Sequence, residues 1–210
     1  MALSDIRKSY EAGALNEAEV AADPVEQFQK WLDEALDSDI MEATAMTLAT
    51  ADANGRPSAR TVLLKDVGEN GFVFYSNYKS RKGRDLAENP HAALTFYWDA
   101  LERQVRVEGR VGKLSREASE AYFHSRPRGS QLGALASNQS EVIGSREVLE
   151  KRIQTLDETY PDEIPLPDDW GGYTLTPEVI EFWQGRPNRV HDRLRYIRDK
   201  EGWGLERLSP

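Results

Sequence analysis

Apolar side chains change their period along this chain of 210 residues. Residues 1–22 carry no period. They are polar and rich in Ala and Glu, with one basic-aromatic knot at Arg7-Lys8-Ser9-Tyr10, and read as a mobile N-terminal arm. A helix then begins: Asp23 is its N-cap, Pro24 takes the first helical position and Glu26 stands three after the cap. Val25, Phe28, Trp31, Leu32, Ala35 and Leu36 follow at helical spacing, which predicts a packed inner face.

From 43 to 112 the pattern becomes that of strands. Residues 43–50 alternate small and apolar positions, Asp52-Ala53-Asn54-Gly55 is a turn, and 60–65 reads as a buried strand with charged ends. A second turn at 66–71 leads to a strand at 72–76, and a short helix over 79–88 stops before Asn89-Pro90. Further strands fall at 92–98 and 103–111; short turns between successive strands predict an antiparallel meander or barrel. Ser115 caps a helix to 124, and 125–145 reads as polar loop with a short helix near 131–136. Ser145 caps an amphipathic helix over 146–160, and three prolines make 161–169 an extended connector. Strands at 170–183, 189–198 and 203–208 close the chain. No repeat or internal boundary interrupts 23–210, so the expectation is one domain behind the arm, mostly β with flanking helices.

The absence of Cys excludes disulfide scaffolds, thiolate metal sites and Cys nucleophiles, and three widely spaced His argue against an all-His metal site. No bound metal is expected. No apolar run approaches the about 20 residues of a membrane span, and the N-terminus has no signal-like apolar core. The expectation is a soluble cytoplasmic protein with no membrane partner. A net charge of −9 argues against nucleic acid as a partner. That charge is concentrated: residues 1–54 hold 12 acids and 3 bases, which already makes −9, so the remainder balances. Within the remainder, 56–84 carries seven bases against Asp66 and Glu69, and 186–198 carries five Arg against Asp192 alone. Arg outnumbers Lys 19 to 8, the bias expected where phosphate or carboxylate is gripped in two-pronged fashion. There is no glycine-rich phosphate loop and no G-x-S-x-G or H-E-x-x-H, so any phosphate must be held by side chains.

Four constellations carry the candidate chemistry. In Arg60-Thr61-Val62-Leu63-Leu64-Lys65 the end cations have odd spacing and, on one strand, face opposite sides. Ser80-Arg81-Lys82 opens a helix, where free N–H groups and two cations would suit a phosphate. Tyr122, Arg126 and Ser130 bring a phenol, a guanidinium and a hydroxyl within one short stretch, although Pro127 stops a single helix from carrying all three. In Glu181 to Arg193, a strand would put Arg189, His191 and Arg193 on one face, where two Arg flanking a His call for an anionic partner.

Together with Phe72–Tyr75, Leu101-Glu102-Arg103-Gln104-Val105, Gln139-Ser140 and Trp170-Gly171-Gly172, these stretches resemble the pyridoxine (pyridoxamine) 5′-phosphate oxidase family over nearly the whole chain. The resemblance implies an FMN-binding split β-barrel homodimer with flavin at the subunit interface. It implies that the substrates are pyridoxine 5′-phosphate, pyridoxamine 5′-phosphate and O2. Hydride passes from C4′ to flavin N5, giving pyridoxal 5′-phosphate, H2O2 and, from the amine, ammonia. By matching position, FMN contacts are expected from Arg60, Thr61, Val62, Leu63, Leu64, Lys65, Tyr75, Ser76, Arg81, Lys82, Gln104, Gln139, Ser140, Trp183 and Arg193. Substrate contacts are expected from Lys65, Tyr122, Arg126, Ser130, Arg189 and His191, with Arg7 and Tyr10 of the arm closing over the site. Arg189 and His191 are the expected catalytic pair, acting by orientation and charge rather than as a base. Val190 stands where the family more often has Leu, and the arm is more acidic than in some relatives, which weakens any secondary product site built from arm arginines. Two other readings stay open: a split-barrel FMN oxidoreductase of another kind, such as a flavin reductase, or a non-catalytic carrier of FMN or pyridoxal phosphate.

Overall fold

The computed structural model describes residues 2–5, 8–68 and 71–210; Arg7, expected at the site, lies outside the described residues. The chain forms helix α1 (Pro24–Leu36), then strands β1 (Ala45–Ala51), β2 (Pro57–Leu63), β3 (Asp66–Gly68) and β4 (Gly71–Asn77). Helix α2 (Arg81–Glu88), β5 (His91–Trp98) and β6 (Arg103–Lys113) follow. Next come α3 (Arg116–Ser125), α4 (Arg128–Ala136), α5 (Arg146–Thr159), β7 (Trp170–Gln184), β8 (Asp192–Arg198) and β9 (Trp203–Arg207). All strand pairings among the described residues are antiparallel, in the order β2-β1-β5-β6-β7-β4-β3, with β8 and β9 added along β7.

The two outermost strands of that path, β2 and β3, are neighbours in sequence. The link between them spans the sheet's two edges: the Leu64 N–H donates to the Thr44 carbonyl at 2.9 Å and the Lys65 N–H to the Val73 carbonyl at 2.8 Å. The sheet therefore rolls into a barrel left open along the seam between β2 and β4, a split barrel.

Helix α1 plugs this barrel. Its start is fixed locally, as the cap pattern predicts: the Asp23 carboxylate accepts from the Val25 N–H at 2.7 Å. Phe28 is fully buried, 4.8 Å from the Phe72 ring and 4.9 Å from Phe96, while Trp31 meets Phe182 edge-on at 5.2 Å. Truncating such a core aromatic costs about 3–5 kcal/mol. A second apolar cluster of Phe123, Leu132, Ile164, Leu166 and Trp170 ties α3, α4 and the proline-rich connector to the start of β7.

The sequence expectations need correction at four places. Strand pairing at 60–65 begins earlier and ends at Leu63. Half of the turn expected at 66–71 is strand, because Asp66 and Val67 pair with Val73 and Phe72. The short helix expected near 131 starts at Arg128, directly after Pro127. The strand expected from 189 begins only at Asp192: Pro187–Arg189 form a single helical turn, with Asn188 at φ 58° and Arg189 at φ 62°. Pro187 has no N–H to give a ladder, and two left-handed residues in succession turn the chain out of it.

The arm lies docked in its described part. Leu15 is buried in the core, the Tyr196 hydroxyl donates to the Ala21 carbonyl at 2.7 Å, and Arg207 grips Glu17 at 2.6 Å. No helix among the described residues is long and apolar enough to cross a membrane.

Candidate functional site

The open seam of the barrel is a cleft of about 300 Å³. Four cations line it, Arg60, Lys65, Lys82 and Arg126, and among the described residues no carboxylate does. Arg60 reaches it from β2 and is held from behind: its guanidinium donates to Thr50 Oγ1 at 2.7 Å and Ser58 Oγ at 2.7 Å, and lies 3.8 Å from the Asp85 carboxylate on α2. Lys65 enters from the link beyond Leu63. This overturns the expected opposition of Arg60 and Lys65, since the strand ends before the alternation reaches Lys65 and both line one cleft.

Lys82 comes from the first turn of α2, whose cap Ser80 accepts from the Gly83 N–H. Gly83 lets the helix sit against the chain, for a Cβ there would stand 2.1 Å from the Tyr78 carbonyl oxygen. The Lys82 ammonium donates to Gln139 Oε1 at 2.8 Å and Ser76 Oγ at 3.1 Å and has no ion pair among the described residues. Burial, with Arg60 nearby, lowers its pKa to about 8. Arg126 follows the end of α3, its guanidinium 4.7 Å from the Trp170 ring centre, and burial lowers its pKa. Its Nη1 is buried with no hydrogen-bond partner among the described residues. Tyr122 stacks on Tyr75 at 3.7 Å, with Trp170 stacked beyond Tyr75 at 5.5 Å. Burial raises the pKa of both phenols, so both stay protonated donors at neutral pH. Thr61, Val62, Leu63 and Ser76 complete the lining.

Several expected residues are elsewhere. Leu64 is buried in the core and meets the seam only through its backbone. Arg81 is exposed on the outer side of α2 and does not line the cleft. Ser130 is exposed on the first turn of α4, and Ser140, at φ 74°, lines a separate hollow between the 137–144 loop and α5; neither lines the cleft.

Gln104, Trp183 and Arg193 sit in one row across β6, β7 and β8, with Tyr97 of β5 at the end of the row. Arg193 is held by Glu181, whose Oε1 accepts from Nε at 2.8 Å, and this bond raises its pKa. Beside this row is a larger pocket of about 670 Å³ lined by Lys8, Tyr10, Arg186, Asn188, Arg189 and His191. Arg189 and His191 meet there through the left-handed turn, not through strand alternation. The Arg186 backbone N–H donates to His191 Nδ1 at 3.1 Å, so the neutral ring carries its proton on Nε2. Burial and Arg189 lower the His191 pKa. Asp192, the lone acid of the Arg-rich segment, is a hub that accepts from the Leu15 N–H and pairs with Arg186 and Arg207.

The two pockets lie at opposite ends of β7, whose 15 residues place roughly 45 Å of strand between them. Sequence reasoning missed Trp170 and Arg186 as site residues. Trp170 announces itself only as an aromatic before Gly171-Gly172, of which Gly172 lets Tyr75 lie flat: a Cβ there would stand 2.9 Å from Tyr75 Cε1. Among the described residues no cluster of acids and His could hold a metal ion.

A sequence model of the family described as pyridoxamine 5′-phosphate oxidase matches residues 32–160. One described as the pyridoxine 5′-phosphate oxidase C-terminal dimerisation region matches 170–210. The pyridoxine/pyridoxamine 5′-phosphate oxidase of Acaryochloris marina is 56% identical over 99% of this chain and 95% of its own. That of Burkholderia multivorans is 57% identical over 99% of each. Among solved structures, PhzG from Burkholderia lata, in complex with tetrahydrophenazine-1-carboxylic acid, superposes with a TM-score of 0.89 at 29% identity, covering 97% of this chain and all of that one. A pyridoxamine 5′-phosphate oxidase-related, FMN-binding protein from Nostoc punctiforme shares the fold, with a TM-score of 0.72 at 20% identity over 91% of this chain and all of that one. With matches that run almost end to end and a barrel shared with these structures, the chain belongs to the pyridoxamine 5′-phosphate oxidase family.

Proposed function

We propose that this chain oxidises pyridoxine 5′-phosphate or pyridoxamine 5′-phosphate to pyridoxal 5′-phosphate with FMN as its cofactor, reducing O2 to H2O2 and, with the amine, taking up one water and releasing ammonia. The observation that carries this reading is the seam cleft: among the described residues it has four cations and no carboxylate, one of the cations a buried lysine without an ion pair and another with an unpartnered guanidinium nitrogen. Such a cluster lacks an anion. Phosphate chemistry fits these donors, and two monophosphates, one on FMN and one on the substrate, would satisfy more of them than one.

Lys82, Arg60 and Ser76, with Gln139, would hold the FMN phosphate; Lys65, Tyr122 and Arg126 would hold that of the substrate. Arg81 and Ser130 would need to move to join them. Gln104, Trp183 and Arg193, at the far end of β7 from these cations, would hold the flavin ring from the other protomer of a dimer. FMN, when bound, supplies the two-electron acceptor for the hydrogen at C4′ and passes the electrons to O2. The protein's part is then placement and charge. Arg189 presents a cation and His191 an Nε2–H donor to the substrate ring, while Tyr10 and Trp183 exclude water from one side. No side chain is needed as a nucleophile.

Because Arg189 and His191 lie at the far end of β7 from the cleft, the working unit is proposed to be a homodimer in which one protomer's loop faces its partner's cleft. The dimerisation region matched at 170–210 contains every residue of that loop. The Burkholderia lata relative holds a phenazine acid on the same fold, so the barrel alone does not choose the substrate; the cationic lining of the cleft is what favours a phosphorylated one here.

The test is anaerobic addition of pyridoxine 5′-phosphate to the FMN-loaded protein. Loss of flavin absorbance, restored by O2 with one H2O2 per pyridoxal 5′-phosphate, is the expected result. No bleaching with either phosphate overturns the reading, and bleaching by NAD(P)H alone would favour a reductase.

A further inference from the structure

Glu102 stands between β5 and β6 in the left-handed region, at φ 53°, where a residue with a side chain is held only by its surroundings. Its side chain is 7% exposed, and among the described residues the partners of its carboxylate all belong to the arm. One carboxylate oxygen accepts from two successive arm N–H groups, Glu11 at 2.6 Å and Ala12 at 2.9 Å; the other lies 3.3 Å from the Lys8 ammonium. Burial works against this charge, but the two N–H groups and Lys8 outweigh it, and the pKa falls below the ordinary carboxylate value. The Glu102 carbonyl holds the other side, accepting from the Gly185 N–H at 2.8 Å and from Gln184 Nε2 at 3.2 Å. One residue thus joins the arm to the start of the loop that carries Arg189 and His191.

What this junction places is Tyr10. Its ring lies 5.7 Å from both Trp183 and His191, over Gly185, where a Cβ would stand 2.8 Å from Tyr10 Cβ and Cγ. Burial and a hydrogen bond with Tyr10 raise the pKa of Tyr97, at the end of the Gln104–Trp183–Arg193 row.

We propose that Glu102 is a positioning residue for substrate binding: by holding the Glu11 and Ala12 backbone it seats Tyr10 against His191 and closes the Arg189–His191 pocket. This rests on the function proposed above. Glu102 touches neither FMN nor substrate and acts through Tyr10.

Glu102→Gln keeps the volume but offers one acceptor where two N–H groups and an ammonium now converge. In the FMN-loaded, full-length protein it should raise KM for pyridoxine 5′-phosphate about tenfold with kcat within about twofold. Tyr10→Ala should do the same, and the double variant should be no worse than Tyr10→Ala alone, because both act through one contact. Tryptic cleavage after Lys8, read without substrate, should accelerate about tenfold in Glu102→Gln. Equal cleavage rates overturn the proposal whatever the substrate is. Faster cleavage with an unchanged KM, or additive effects of the two substitutions, overturn it as well, since Glu102 would then tether the arm without serving the site. If neither wild type nor variant oxidises the substrate, the proposed function fails and the cleavage rate alone decides whether Glu102 holds the arm.

Discussion

The Lys82 ammonium lies 2.8 Å from the Gln139 side-chain oxygen, a neutral acceptor where a buried lysine would ordinarily meet a carboxylate. Asp85, three residues along α2, is instead turned to Thr50 and Arg60. Holding Lys82 charged with its pKa lowered from 10.5 to about 8 costs on the order of 3 kcal/mol. Lys82→Met should therefore raise the melting midpoint of the FMN-free protein by several degrees while weakening FMN binding at least about 100-fold. Scanning fluorimetry with and without FMN checks both; a variant that binds FMN like wild type removes Lys82 from the phosphate site.

The same lysine sets a pH dependence. Below pH 8 its proton is bound in folded and unfolded chains alike and the penalty is full. Between about 8 and 10.5 the folded protein gives up the proton first, so stability should rise with pH. FMN or inorganic phosphate, by restoring the lysine's pKa, should flatten that rise. Urea midpoints across this range, with and without phosphate, would show it.

Arg189 turns into its pocket from a left-handed backbone and belongs to the loop, not the strand. Arg189→Met keeps much of the length and removes the cation. FMN content and flavin spectrum should stay native, and kcat/KM should fall on the order of 10²-fold. Loss of FMN instead would place Arg189 at the flavin.

His191 is held neutral by burial and by Arg189, below its usual 6.5. Protonation would break the bond from the Arg186 N–H and put a second charge beside Arg189. A lowered histidine pKa gives stability that is present above 6.5 and lost as pH falls through the lowered value. The kcat/KM should fall on the acid side with a one-proton slope, and His191→Asn should abolish that slope. An unchanged acid limb in the variant assigns it to another group.

Gly172 faces Tyr75 across β7 and β4. Its replacement by Ala would press a methyl to 2.5 Å from Leu114 Cδ1 and 2.9 Å from Tyr75 Cε1. The expected cost is about 1–3 kcal/mol of stability, with Tyr75 displaced from Tyr122 and a raised KM for the phosphorylated substrate. A wild-type KM would show that the stack does not shape the substrate end of the cleft.

Local chemistry determined what could be read without coordinates. The start of α1 was legible because Asp23, Pro24 and Glu26 act within one turn, and its inner face because Phe28 and Trp31 recur at the helical period. The strands announced themselves by alternation, and the excess of Arg and Lys in 56–84 and 186–198 marked an anion site. Tertiary structure decided which of these cations meet. Arg60 and Lys65 share a cleft because pairing stops at Leu63 and the chain crosses the seam, a fact set by the distant partners Thr44 and Val73. Arg189 and His191 share a pocket because Pro187 and two left-handed residues break the alternation that sequence spacing assumes. Trp170, Arg186 and Glu102 stand in stretches the sequence marks, but their roles were not legible there, since these depend on Arg126, His191 and the arm, partners brought near only by the rolled sheet. Period and capping are properties of a few consecutive residues; register and seam are properties of the whole barrel.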